Sequence, residues 1–171
     1  MPLSIHQISI SIFDQFLESL SAVLDKAEAH CTAAGSAPAD MLALRLAPDM
    51  FTLTQQVQRA CIHASGAAAR LAGSEVPEEA DDEASFDDLR TRVARTRAFL
   101  DGLTPAQMEA SETMTIDQPT RVGILTFPNG ADYLLRFALP QFMFHVTTAY
   151  DIIRHGGVEV GKIDFMGAML R

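Results

Sequence analysis

The sequence predicts an all-α protein, a four-helix bundle with a small β-hairpin or extended segment before the last helix. Three observations carry that reading. Four long segments place apolar residues at three- and four-residue spacings, the pattern of helices with one buried face. Breaks rich in glycine, proline or acidic residues separate them. One segment, 113–127, is instead dominated by β-branched residues. With 171 residues, the chain reads as one domain, 1–171, that can build a core without disulfides or a structural metal.

The first helix is expected from Leu3 to Ala33, with Ile5, Ile8, Ile12, Phe16, Leu20, Val23 and Ala27 as its stripe and Phe13, Leu17 and Leu24 widening it. Gly35 to Pro38 ends it, and Ala39 to Leu46 reads as a short helical turn. Asp49 is the expected N-cap of a second helix, Met50 to Ala72, whose small contact residues (Ala60, Ala64, Gly66, Ala68) allow a neighbour to approach closely. Gly73 stops it, and the acidic segment around Pro77 reads as a surface loop. A third helix, Ser85 to Asp101, opens with a box-like Ser85/Asp88 pair and buries Phe86, Leu89, Val93, Leu100 and Leu103; Thr104-Pro105 can begin one further turn.

Thr113 to Phe127 is expected to be extended or a hairpin, and Pro128-Asn129-Gly130 a turn. The fourth helix runs from Ala131 to His155 with Pro140 kinking or dividing it, since proline removes a backbone hydrogen bond. The tail, 158–171, is expected to be irregular and to dock through Phe165, Met166, Met169 and Leu170.

Charge narrows the function classes. The net charge of −9 is concentrated in eight acidic residues between Glu75 and Asp88, leaving the remainder almost neutral. Such a chain is a poor nucleic-acid binder, because phosphate contacts rely on Lys and Arg. Arg90, Arg92, Arg95 and Arg97 form the one basic cluster, expected to be a solvated helix surface balanced by the acidic block before it. No apolar run approaches the ~20 residues of a membrane span. The opening MPLSIHQISISIF has neither a basic n-region nor a small-residue cleavage site. Cys31 and Cys61 sit in apolar helical contexts and read as buried, reduced thiols. A cytoplasmic protein without membrane or nucleic-acid partners is the expectation.

No phosphate loop, dinucleotide fingerprint, nucleophile elbow or HExxH motif is present. His6, His30 and His155 fall near helix ends, where a solvated imidazole is the default. His63 and His145 lie mid-helix beside apolar stripes. Imidazole there is either satisfied by a neighbouring polar group or serves as a ligand or proton carrier. Arg59 shares a helix face with His63 at four-residue spacing, which suits an anion, unless Arg59 simply pairs with a carboxylate at the surface.

The segments RLAPDMFTLTQQVQ (45–58), GAAARLAG (66–73), DYLLRFALPQFMFHVTTAYDIIRHGGVEVGK (132–162) and the closing DF (164–165) resemble the DUF1993 family of unknown function, grouped with the DinB/YfiT-like metalloenzymes. The resemblance implies a DinB-like four-helix bundle and often a homodimer. It also implies a three-histidine metal centre, with one ligand on the second helix and an HxxxH pair on the last. His63 and His145 match two of those positions, but Ala149 stands where the third ligand belongs. Tyr150, rotated by about 100° around the helix, is a poor substitute, and His6, Asp49 or Asp151 would have to supply a third donor. Three protein ligands are the usual minimum for a catalytic zinc.

The function expected is therefore small-molecule binding in an inter-helix pocket drawn from His63, Arg59, Gln141, His145 and Tyr150, without an intact three-histidine site. The alternatives are a divalent-metal (zinc or nickel) transferase or hydrolase with His63 and His145 as ligands, and a non-enzymatic homodimeric interaction module.

Overall fold

A computed structural model describes residues 3–170, the last without its side chain, so the docking expected of Leu170 lies outside the described residues. Four long helices form the bundle: α1 (Ile5–Ala34), α3 (Leu53–Leu71), α4 (Phe86–Asp101) and α7 (Leu139–His155). Short elements join them: α2 (Pro38–Leu42), α5 (Pro105–Met108), the hairpin β1 (Ile116–Thr120) and β2 (Gly123–Phe127), α6 (Gly130–Tyr133), and α8 (Lys162–Met166) in the tail. The core is continuous through all four long helices, with Phe13, Leu17, Leu24, Val57, Ala64, Leu89 and Phe142 fully buried. No helix among the described residues is long and apolar enough to cross a membrane.

Helix α1 begins at a capping box, in which Ser4 and Gln7 satisfy each other's backbone N–H, and ends at Gly35 in the left-handed region. Its innermost line is Phe13, Leu17, Leu20, Leu24 and Ala27; Ile8 and Phe16 are half-buried. The start of α3 differs from expectation. Asp49 does not cap it; Thr52 does, with Gln55 returning the second bond of a capping box. Two orphan donors satisfied reciprocally outweigh the single bond Asp49 can offer. Leu53 N–H also donates to Leu44 O at 2.8 Å, so residues 44–52 hook back before the helix begins. The Ser85/Asp88 box at α4 forms as the sequence indicates.

The basic cluster on α4 is not uniformly solvated, contrary to expectation. Arg92 is completely buried. The acidic segment folds over it: Nη1 donates to both Glu83 carboxylate oxygens at 2.9 and 3.0 Å and to Ala80 O at 2.9 Å, while Asp81 and Glu79 lie within ion-pair distance. Gln58 on α3 donates to Glu83 from the other side. The block is therefore a clamp between α3 and α4 rather than a free loop. Its pattern misled because charge runs usually mark solvated faces.

The hairpin pairs Ile116 with Phe127 and Thr120 with Gly123, antiparallel. Val122 sits in the turn and not in a strand. Ile116 anchors the hairpin in the core. At Gly130, a Cβ would lie 2.6 Å from the Ser111 carbonyl oxygen and 2.9 Å from a Leu71 methyl, so only glycine lets the last helical run start against this wall.

Pro140 stands in the first turn of α7 and does not end the helical run. Residues Leu134–Ala138 instead form a π-helical turn, and Leu139 N–H bonds to Leu134 O, five residues back. The wider turn precedes the ring that would otherwise press on the carbonyl four residues earlier. The tail is more ordered than expected. Val158 and Val160 are buried, and Phe165 packs its ring on Phe16 and Tyr150. Gln15 on α1 bonds Met166 O. Met169, expected to dock, is exposed.

Candidate functional site

Helices α3 and α7 face each other through the most chemically distinctive part of the core. Gln56, Arg59 and His63 fall at three- and four-residue spacings on α3, and so share one face. From α7, His145 enters the interface with Phe144 beside it. The two imidazole rings lie nearly parallel, 12° apart, with centroids separated by 5.1 Å. Phe51 stacks near His145 at 6.2 Å, Phe144 meets it edge-on at 5.3 Å, and Phe137 meets His63 edge-on at 6.4 Å.

His145 Nδ1 is 2.7 Å from Gln56 Oε1. The Gln56 amide nitrogen donates to Phe51 O, which orients the amide so that its oxygen faces the ring. Nδ1 therefore carries the proton, and Nε2 keeps its lone pair. Burial lowers His145 to about 4, with the charges of His63 and Arg59 adding to the effect. His63 is also lowered to about 4, by burial first and then by Arg59 and Arg70. Both rings are neutral near pH 7, and the charges acting on them are cationic.

Two concavities share Phe51, and His145 lines the smaller of them. One, of about 210 Å³, is bounded by Met50, Phe51, Gln56, Phe144 and His145, with exposed Asp49 at its rim. The other, of about 490 Å³, shares Phe51 and is bounded on its polar side by Arg45, Gln55, Gln58 and Arg59, with Asp81 and Glu83 opposite. Its size lies within the roughly 300–1,000 Å³ typical of ligand pockets.

The candidate residues separate into groups. His63, His145 and Arg59 come together, with Arg59 ion-paired to Asp81. Gln141 lies one turn from His145, in a shallow cleft of about 260 Å³ with Arg136, Pro140 and Phe144. Tyr150 is elsewhere: its hydroxyl donates to Val160 O and its ring packs on Phe165. The sequence reading missed Gln56 and Phe51. Gln56 lies seven residues before His63, two helical turns away on the same face, and that spacing was the available signal.

A three-histidine metal centre does not fit this donor set. Ala149 is fully buried where a third imidazole would stand, and His6 is committed to Leu103 O, 2.9 Å away. Among the described residues no three His, Cys, Asp or Glu side chains cluster closely enough to hold an ion. Cys61 offers no substitute nucleophile, since burial pushes its thiol up to about 12.

A family model described as a domain of unknown function, DUF1993, matches residues 5–166. The chain belongs to the DUF1993 family. This DUF1993 chain is also similar to the crystal structure of a DinB family member protein from Shewanella denitrificans, at 37% identity and a TM-score of 0.89, over 97% of this chain and 93% of that one. The DUF1993 bundle is thus DinB-like in fold, as the motifs on α3 and α7 indicated. No curated protein matches it.

Proposed function

We propose that this protein binds a small molecule in the cleft between α3 and α7, over the His63–His145 pair, and recognises it with its own side chains rather than through a three-histidine metal centre. The His145 imidazole lining an open aromatic cleft, with the parallel His63 ring stacked against it, carries this reading. A buried imidazole that keeps a free lone pair next to a cavity has an unused acceptor, and a ligand donor satisfies it. A ligand screen by thermal shift is expected to give hits that weaken at least severalfold in His145→Ala and His63→Ala. Hits of undiminished affinity in both variants would place the ligand elsewhere. The metal-dependent transferase or hydrolase reading requires a stoichiometric divalent ion in untagged protein that is lost in His145→Ala.

We further propose that the protein works in the cytoplasm as a homodimer. Two buried, unpaired cysteines suit a reducing compartment. Exposed apolar residues on the hairpin and in the π turn before α7, Ile124, Leu125 and Leu135, suit a second copy. Analytical ultracentrifugation is expected to show twice the mass of one chain. A single-chain mass at every concentration would rule out the dimer and leave the interaction-module alternative without its partner.

A further inference from the structure

We infer that the two concavities sharing Phe51 form one bipartite site for an amphipathic monoanion, an organic acid whose apolar body lies between Phe51 and Phe144 and whose acid group reaches Arg45. This deepens the cleft reading above and rests on it.

The argument starts from charge. Four charged side chains border the larger concavity: Arg45, Arg59, Asp81 and Glu83. Arg59 is matched by Asp81. Glu83 is matched by the buried Arg92 behind the wall. Arg45 remains: its Nη1 donates to the Pro48 and Met50 carbonyl oxygens, which fix the guanidinium at the cleft, and no carboxylate among the described residues pairs with it. One guanidinium is therefore held in place with its charge uncompensated, leaving donors for an acid group. The same wall carries Thr52 and Gln55 at the start of α3, a 19-residue helix whose dipole adds positive potential there.

The smaller concavity supplies the complementary half. Phe51 and Phe144, which both line this concavity and contact the His145 ring, one stacked and the other edge-on, are each about half exposed, at 46% and 54%. A ligand body between them removes that surface from water. The charges acting on the imidazole floor are those of Arg59 and Arg70, and Asp49 stands outside on the rim. A cationic ligand would meet the unpaired Arg45 at one end and the field of Arg59 at the other, whereas an acid group at Arg45 faces the one guanidinium that no carboxylate neutralises.

The test uses three probes with one carbon skeleton, phenylbutanoate, phenylbutanamide and phenylbutylammonium, titrated calorimetrically into the full-length protein. The carboxylate is expected to bind about tenfold more tightly than the amide, the weight of one charge-assisted contact. Arg45→Gln, at an exposed position, is expected to abolish that difference while leaving the amide unchanged. Phe144→Ala is expected to weaken every probe that binds. An amide or ammonium that binds as tightly as the carboxylate, yet weakens in Phe144→Ala, overturns the anion assignment and leaves the cleft reading standing. An Arg45→Gln variant that keeps the full preference overturns the placement of the acid group. Failure of all three probes to bind the wild type up to their solubility overturns this inference; the cleft reading falls only if the wider ligand screen is also empty.

Discussion

Replacing Arg92 by alanine is expected to lower stability by about 3–5 kcal/mol, the usual consequence of stranding a buried charge by removing its partner. Arg92 is fully buried, and Glu83, its main partner, is 4% exposed at the side chain. Without the guanidinium, Glu83 keeps the Gln58 amide donor alone, and Glu79 and Asp81 lose the cation that draws the acidic segment inward. Arg92→Met separates charge from packing, because it restores most of the stem volume without the donors. It is expected to be almost as destabilising as the alanine variant. Arg92→Met combined with Glu83→Leu is expected to recover much of the loss, since an apolar pair of similar volume has no charge to strand. Urea denaturation measures all three. An Arg92→Ala protein within about 1 kcal/mol of wild type would show that the clamp contributes little.

Acidification is expected to destabilise the bundle through the imidazole pair. His63 and His145 titrate near 6.5 in the unfolded chain and near 4 in the fold. Above pH 6.5 both are neutral in either state, and neither disfavours folding. Between 6.5 and 4 the unfolded chain takes up protons that the folded chain refuses, so stability falls as pH falls through this window. Below 4 both states are protonated and the loss levels off. Each imidazole accounts for at most roughly 3 kcal/mol. His63→Gln is expected to remove about half of the drop between about pH 7.5 and about pH 5, and His63→Gln/His145→Gln most of it. The comparison isolates the pair from the carboxylates, which are common to all variants. A double variant as acid-sensitive as wild type would show that the imidazoles are not held neutral by the fold.

Most of the secondary structure was legible because its determinants are local. The Ser85/Asp88 box, the stops at Gly35 and Gly73, and the stripes of α1 and α4 need no knowledge of the partner. Where local rules competed, sequence reading went wrong. Asp49 and Thr52 are both good caps three residues apart, and the choice followed the return bond from Gln55 and the tie from Leu53 to Leu44. Pro140 signals a break, but whether the helix bends, divides or widens into a π turn depends on the packing around it.

For the candidate site, residue types and helix positions were legible and mutual placement was not. Spacing alone put Arg59 and His63 on one face, and the family resemblance marked Ala149 as the missing histidine. Nothing in α3 or α7 taken singly could show that His63 and His145 lie parallel, that Gln56 sets the tautomer, or that Tyr150 turns to the tail. Those relations depend on how two helices are rotated and slid against each other, and the whole core decides both. The same holds for Arg92. By itself the sequence determined the four helices, a hairpin or extended segment between the third and the last, the resemblance to the DUF1993 family and the absence of an HxxxH pair. Only the tertiary structure decided that one arginine of a charged cluster is buried beneath an acidic clamp and that two histidines stack between α3 and α7. Helix propensity and periodicity act over a few residues, whereas burial and pKa are set by neighbours that lie far away along the chain.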